Sequence, residues 1–131
     1  MIQADCHMHS HFSSDSKAFM EDMIEGSIRH GMKEICFTDH MDYDYPVRGG
    51  YDFVFNIEEY IAKLNEMKSR YRDRITILTG VEVGLQPHLK DRIATLTKNN
   101  SFDFIIGSSH VVDHLDPYYP EYWTDKTVEE G

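Results

Sequence analysis

The sequence predicts an α/β fold in which parallel strands are joined by right-handed helical crossovers. Three observations support this prediction. Short apolar runs alternate with segments of helical periodicity, a potential metal ligand follows each run, and a hydrophobic content of 40% suffices for a core. The 131 residues are about the length of one domain. Four strand–helix units are about half of an eight-fold barrel, so the sequence predicts the N-terminal half of a larger barrel.

The first two units lie in the N-terminal part of the chain. Gln3–Cys6 is a short strand that leads directly into a run of histidines. Apolar side chains recur at helical spacing within Lys17–His30, and Gly31 tolerates the left-handed conformation that often ends a helix. Glu34–Thr38 is then an apolar strand, which we expect to be buried.

A long connection and a second helix follow. The segment Met41–Phe55 is rich in Tyr, Asp, Gly and Pro, so we expect a loop. Loops of this length are often functional. Asn56 is predicted to begin the next helix, with Glu59 three residues later in a pattern that resembles a capping box. Apolar residues at helical spacing continue this helix to Tyr71.

The last two predicted strands complete the alternation. Ile75–Thr79 is the third strand and runs into Gly80–Gly84. Pro87 favours the first turn of a helix, which is predicted to extend to Lys98. Phe102–Ile106 is the fourth strand.

The end of the sequence bears on how much of the barrel it contains. Thr127–Glu130 is typical of a helix start, yet the sequence ends at Gly131. We therefore expect one domain over residues 1–131 that is part of a truncated barrel. The strand Phe102–Ile106 would then have an unpaired edge, so we expect either that the chain self-associates through this edge or that the ordered protein is longer.

Composition argues against several classes of function. The sequence has 13 Lys and Arg against 23 Asp and Glu, a formal net charge of −10. This charge disfavours binding to nucleic acid or to anionic membranes. No apolar run approaches the ~20 residues of a membrane span, and no secretory signal pattern is present. Two cysteines form no disulfide framework, so we expect a cytoplasmic protein.

Potential metal ligands follow all four predicted strands. The carboxyl ends of parallel strands meet at one edge, so these side chains are expected to converge. Imidazoles and carboxylates together favour zinc, iron or manganese over calcium, and a bridging glutamate would suit ions ~3.5–4 Å apart. The sequence has eight histidines, and the strand-end residues are His7, His9, Asp39, His40, Glu82 and His110.

Four motifs resemble the first motifs of the polymerase-and-histidinol-phosphatase (PHP) family. They are Asp5–Ser13, Thr38–His40, Gly80–Gly84 and Gly107–Val111, in matching order and spacing. The sequence is most similar to the monofunctional histidinol-phosphatases, through the loop after His40, Asn56–Tyr60 and His110–Pro120. The resemblance implies a distorted TIM-like barrel of about seven strands, a (βα)7 fold.

The same resemblance implies a set of ligands for roughly two or three divalent metal ions, zinc, manganese or iron. His7, His9 and Glu82 would hold one ion, and Glu82 would bridge to a second ion bound by His110. His40 would serve a third position together with Asp15. Glu82 and His40 are also the expected catalytic residues, and no residue is assigned to substrate binding. Further family ligands, a histidine and an Asp-x-His pair, have no counterpart in this sequence.

The implied activity is hydrolysis of L-histidinol phosphate to L-histidinol and phosphate, in histidine biosynthesis. Metal ions would reconcile an acidic chain with a dianionic phosphate ester, since they neutralise the ester and activate water. Two alternatives stay open. The chain could belong to another phosphoesterase of the family that acts on nucleotides, or be a metal-binding fragment without activity.

Three features have a structural alternative. Ser13–Asp15 is also an ordinary helix-capping sequence, which would give Asp15 a structural role. Cys6 adjoins the histidines and is interpreted as a small core thiol rather than a metal ligand. The aromatic residues near the end of the sequence form either a wall of the substrate site or a core patch: Tyr118, Tyr119, Tyr122 and Trp123.

Overall fold

The computed structural model describes residues 2–46, 50–124 and 126–127. Within them the strands are β1 (Ala4–Met8), β2 (Glu34–Phe37), β3 (His40–Met41), β4 (Thr76–Gly84) and β5 (Phe104–Ser108). The helices are α1 (Met20–Arg29), α2 (Ile57–Tyr71), α3 (Lys90–Asn99) and α4 (Pro120–Trp123), with a 3₁₀ turn at Pro87–Leu89. None of the helices in these ranges is both long and apolar enough to cross a membrane.

The strands form one parallel sheet. β1 pairs with β2, β2 pairs with the first half of β4, and β5 pairs with the second half of β4. β3 continues the line of β2 and also pairs with β4, with His40 opposite Glu82. The helices α1, α2 and α3 each connect one parallel strand to the next along the chain. The predicted class, parallel strands with helical crossovers, is confirmed.

The structure moves several predicted boundaries. β1 extends to Met8, beyond the predicted end at Cys6. β4 is one strand of nine residues, which begins at Thr76, one residue after the predicted start, and continues through Gly80–Gly84. β5 begins at Phe104 rather than Phe102, because Asp103 is bonded to Thr79 through both its backbone N–H and its carboxylate, ahead of the strand pairing.

The segment Met41–Phe55, predicted to be a loop, begins with a strand residue. Met41 belongs to β3, and the N–H of Asp42 donates to the carbonyl of Phe53 at 2.9 Å. The two ends of the segment are therefore held together. Residues 47–49 in its middle lie outside the described residues, as do residues 128–131, which include most of the predicted helix start at Thr127–Glu130.

The main core lies between the sheet and the helices α1 and α2. Asn56 caps α2 as predicted, since its side chain accepts hydrogen bonds from the N–H groups of Glu58 and Glu59. The hydroxyl of the fully buried Tyr60 donates to the carbonyl of Gly80 at 3.0 Å, which ties α2 to the middle of β4. The other fully buried members of this core include Met20, Ile24, Ile35, Phe37, Leu64 and Met67.

The β5 end of the sheet is less covered. Phe104 and Ile105 are 43% and 42% exposed, and Leu96 is the buried residue of α3. In the described part of the chain, no strand pairs with the outer edge of β5. The expected open edge is therefore present, two residues later than predicted.

Cys6 is exposed on β1, so its interpretation as a core thiol is wrong. β1 is the outermost strand on its side of the described sheet, and its pairing register shifts between Asp5 and Met8. This shift interrupts the regular alternation that would place Cys6 on the same face as the buried Met8.

We expect Gly80→Ala to destabilise the fold by about 1–3 kcal/mol, because a Cβ at this position overpacks the core. It would lie 2.7 Å from the carbonyl oxygen of Phe37 and 2.6 Å from Sγ of Cys36. The matched control is Gly26→Ala in α1, where a Cβ meets only Arg29 at 3.7 Å. The free energy of unfolding of that variant should rise by about 0.5–1 kcal/mol. Urea denaturation measures both changes, and equal effects of the two substitutions would contradict this packing.

Candidate metal centre

Side chains from several strands meet around Glu82 at the carboxyl edge of the sheet. Glu82 lies in β4 between Val81 and Val83, which pack in the core. Since alternate side chains of a strand point to opposite faces, the side chain of Glu82 points to the other face. Its side chain is 5% exposed. The histidines around it are His7 in β1, His9 just after β1, His40 in β3 and His110 after β5.

Both carboxylate oxygens of Glu82 face imidazole nitrogens. His9 Nε2 lies 3.0 Å from Oε2, and His110 Nε2 lies 3.0 Å from Oε1. His7 Nε2 and His40 Nδ1 lie 3.7 and 3.6 Å from Oε2. The carboxylate of Glu82 thus lies between imidazoles that come from the two outer strands of the described sheet, β1 and β5.

Asp15 forms a second group beside the first. Its Oδ2 lies 3.2 Å from His9 Nδ1 and 3.6 Å from His40 Nε2. The helix-capping alternative for Asp15 is wrong, because α1 begins at Met20 without a side-chain cap. The six predicted metal-ligand positions are therefore all brought together: His7, His9, Asp15, His40, Glu82 and His110.

Asp42 belongs to the same cluster but is absent from the motifs that the sequence presents. It is 2% exposed, and its Oδ2 lies 2.6 Å from His110 Nδ1 and 3.5 Å from His40 Nδ1. Side chains two residues apart on an extended backbone share a face. The spacing between His40 and Asp42 aligns the two side chains only because β3 is extended, and the loop predicted over Met41–Phe55 gives no sign of this strand.

Hydroxyl groups orient two of the candidate ligands. The hydroxyl of Thr38 lies 2.9 Å from His7 Nδ1, and the hydroxyl of Ser108 donates to Glu82 Oε1 at 2.7 Å. Thr38 follows β2 directly and Ser108 ends β5, so neighbouring strands supply both contacts.

Asp39, predicted among the strand-end residues, supports the site from behind. It is fully buried and accepts hydrogen bonds from the N–H and hydroxyl groups of Ser10 and Ser13. The hydroxyl of Ser13 also accepts from the N–H of His40 at 2.8 Å. Burial raises the pKa of Asp39. Its carboxylate thus ties the segment after His9 to the segment that carries His40.

The charges of the cluster compensate one another. Burial raises the pKa of Glu82, but hydrogen bonds from His110 and His9 outweigh this effect and hold that pKa well below its usual range. Hydrogen bonds with Asp42 and Glu82 raise the pKa of His110 to about 10, and the bond with Glu82 raises the pKa of His9. Protonated imidazoles therefore balance the buried carboxylates.

The donor set fits divalent metal ions. Two buried atoms, His40 Nδ1 and Asp42 Oδ1, have no hydrogen-bond partner among the described residues. Leaving such a group unpaired costs about 1–3 kcal/mol. Imidazole nitrogens and carboxylate oxygens are ligands of zinc and related metals. In the described residues, three sets have their ligand atoms within 4.8 Å of one another: His7–His9–Glu82, His9–Asp15–His40 and His40–Asp42–His110.

A cavity of about 810 Å³ opens beside the cluster. Tyr118 and Tyr119 are in its wall, whereas Tyr122 is buried and the indole N–H of Trp123 donates to the carbonyl of Pro117 at 2.8 Å. The aromatic residues near the end of the sequence therefore divide between a cavity wall and packing. The lining residues are Asp15, His40, Tyr45, Tyr51, Phe53, His110, Asp116, Tyr118 and Tyr119.

Comparison with known proteins finds one family and several relatives. The family model described as PHP domain matches residues 5–130. The chain is 36% identical to the histidinol-phosphatase of Lactococcus lactis subsp. lactis, over 100% of this chain and 48% of that protein. It is 37% identical to a probable histidinol-phosphatase of Thermotoga maritima, over 83% of this chain and 40% of that protein.

A solved structure is also similar. The crystal structure of histidinol phosphate phosphatase from Lactococcus lactis, complexed with zinc, L-histidinol and phosphate, matches with a TM-score of 0.90 and 36% identity. The match covers 98% of this chain and 48% of that one. The chain spans about half the length of the curated relatives it matches. This likeness supports the predicted half of a TIM-like barrel.

We expect metal binding to release protons. Because the pKa of His110 is about 10, its imidazole carries both protons at neutral pH, and one must leave before a nitrogen can bind a cation. The apparent affinity for Zn²⁺ should therefore rise with pH, by up to about tenfold per unit for each proton released. Calorimetry in buffers of different ionisation enthalpy counts these protons.

Two variants check the source of the released protons. His110→Ala should release fewer protons than the unsubstituted chain. His88→Ala removes an exposed histidine that pairs with Asp44 at 3.1 Å, and should release the same number. A proton count that His110→Ala leaves unchanged would argue against His110 as a ligand.

Proposed function

The chain belongs to the PHP family, and we propose that it carries part of the active site of a metal-dependent histidinol-phosphatase. The reaction is hydrolysis of the phosphate ester of L-histidinol phosphate, which gives L-histidinol and phosphate. The observation that carries this proposal is the convergence of four histidines on both oxygens of Glu82. The relatives that are named histidinol-phosphatase support the choice of substrate.

Roughly two or three divalent ions are proposed for the cluster. His7, His9 and Glu82 form the first position, Glu82 and His110 the second, and Asp15 and His40 the third. Bound metal would neutralise the phosphoryl oxygens and lower the pKa of water. Zinc is present in the Lactococcus lactis structure, and manganese and iron suit the same donors.

Glu82 and His40 are the residues to which we assign catalytic roles. Glu82 places one buried charge between imidazoles on two sides, so its loss affects two positions at once. His40 lies between Asp15 and Asp42 and lines the cavity, where it can contact the substrate phosphate as well as hold an ion.

The domain is proposed to comprise residues 1–131 of the barrel. A cytoplasmic location stays a prediction, as does the absence of nucleic-acid and membrane partners, which the net charge of −10 favours.

A phosphate-release assay tests the proposed function. The protein is assayed with L-histidinol phosphate and with nucleoside monophosphates, with zinc, manganese or iron added and after treatment with a chelator. We expect preference for L-histidinol phosphate and loss of activity on chelation. Faster turnover of nucleotides would instead indicate another phosphoesterase of the family. Bound metal without turnover would indicate a metal-binding fragment, and activity after complete metal removal would contradict the metal-dependent mechanism.

Glu82→Gln should lower turnover by a factor on the order of 10² or more, because the amide keeps the shape but removes the charge shared by two ion positions. The bound metal, measured by elemental analysis, should fall as well. Glu58→Gln is the matched control, since Glu58 is exposed on α2 and lies in none of the candidate ligand groups. Wild-type turnover in the Glu82 variant would refute its assigned role.

Self-association through the edge of β5 is also proposed. An unpaired parallel edge is a template for pairing with another chain, and Ile105 on this strand is 42% exposed. Light scattering should show a mass above that of the monomer which decreases on dilution. Ile105→Lys should reduce it, since a charge at an edge opposes such pairing. A monomer at all concentrations would contradict this proposal.

A further inference from the structure

The carboxylate of Asp42 lies between Gly84, at the end of β4, and the ring of His110. The backbone N–H of Asp42 is bonded to Phe53, and its side chain is almost completely buried. A Cβ at Gly84 would lie 2.7 Å from Asp42 Oδ1, so glycine at that position gives the carboxylate its space. The carboxylate of Asp42 thus lies directly beside Gly84, in a buried position.

The ring of His110 is placed between two carboxylates. Its Nδ1 lies 2.6 Å from Asp42 Oδ2, and its Nε2 lies 3.0 Å from Glu82 Oε1. A neutral imidazole offers one nitrogen lone pair and donates one N–H. The other histidines lie around Glu82. Nε2 is the nitrogen of His110 that faces Glu82, so it is the one placed to bind a cation there. When Nε2 binds a cation, the proton that remains on the ring is the one on Nδ1, which is donated to Asp42.

On these contacts we propose that Asp42 is a positioning residue of the metal centre. It fixes the tautomer and orientation of His110, so that Nε2 faces Glu82 and the ion that both residues would share. This inference rests on the proposed function, because it takes His110 as a metal ligand. Carboxylates that accept the second N–H of a ligating histidine orient the ring and make the ligand more basic, and their loss typically lowers metal affinity 10–100-fold.

Asp42 has a second imidazole neighbour, to which it is not hydrogen-bonded. Its Oδ2 lies 3.5 Å from His40 Nδ1, which has no hydrogen-bond partner in the described part of the chain. The carboxylate of Asp42 is thus hydrogen-bonded to one candidate ligand, His110, and lies near a second, His40. The alternative is that Asp42 itself binds an ion, since its oxygen lies within 4.8 Å of nitrogens of both histidines. If Asp42 is a positioning residue, its substitution leaves the number of bound ions unchanged. If Asp42 is itself a ligand, its substitution removes an ion.

The test compares Asp42→Asn with Asp42→Leu. The amide oxygen of asparagine can still accept the proton of His110 Nδ1, whereas leucine has a similar size and cannot. We expect Asp42→Leu to weaken Zn²⁺ binding about 10–100-fold in a chelator competition, and Asp42→Asn to stay near the unsubstituted protein. Elemental analysis should find the same number of ions in both variants at saturating zinc.

Asp44→Asn is the matched control, because it alters another Asp–His pair, that with His88, outside the cluster. It should change neither affinity nor stoichiometry. Unchanged affinity in Asp42→Leu would overturn the proposal, and loss of an ion in Asp42→Asn would show that Asp42 is a ligand instead.

A second measurement applies even if Asp42→Leu does not fold or no zinc is bound. In ¹⁵N-histidine spectra of the metal-free protein, the N–H at His110 Nδ1 should be protected by its hydrogen bond, and Asp42→Asn should retain it. On addition of zinc, the resonance that shifts should be that of Nε2. An unprotected Nδ1 proton, or zinc binding through Nδ1, would refute the role of Asp42. Failure of zinc to bind with the Nδ1 bond intact would instead contradict the proposed function.

Discussion

The buried carboxylate of Glu82 is the constraint on which the site depends. A charge removed from water is expensive unless opposite charges and hydrogen bonds surround it. β4 places Glu82 at the centre of the sheet, and imidazoles reach it from β1 on one side and from the segment after β5 on the other. The strand order is therefore what makes the burial of this group tolerable. A different order would separate the histidines from the carboxylate that needs them.

Much of this arrangement is readable from local sequence, for a physical reason. Asn56 caps α2 through its own side chain, and the ligands at the strand ends converge because parallel strands share a carboxyl edge. β3 could not be predicted in this way, since a two-residue strand exists only through its partner in β4. The start of β5 likewise depends on Asp103, whose bonds to Thr79 form only once the sheet is assembled.

Asp42 shows the same limit within the site. Its sequence neighbours place it in a segment rich in turn-forming residues, where a buried aspartate is not expected. Only the short strand β3 gives it the extended backbone that aligns it with His40, and only the end of β5 brings His110 to it. Ligands that directly follow a strand with a clear apolar pattern can be found from sequence. A residue such as Asp42, which acts by positioning another side chain, is visible only in the tertiary structure.

The two edges of β4 are not equally supported. One edge is bonded to β2 and β3 beside the main core, whereas the other is bonded to β5, whose side chains are partly exposed. Segments with few buried contacts open at lower free energy than those inside a core. His110 follows β5, so it comes from the side of the sheet that the main core does not cover. A cation that binds His110 and Glu82 together would connect the segment after β5 to β4, so occupancy of the site would stabilise the pairing of these two strands.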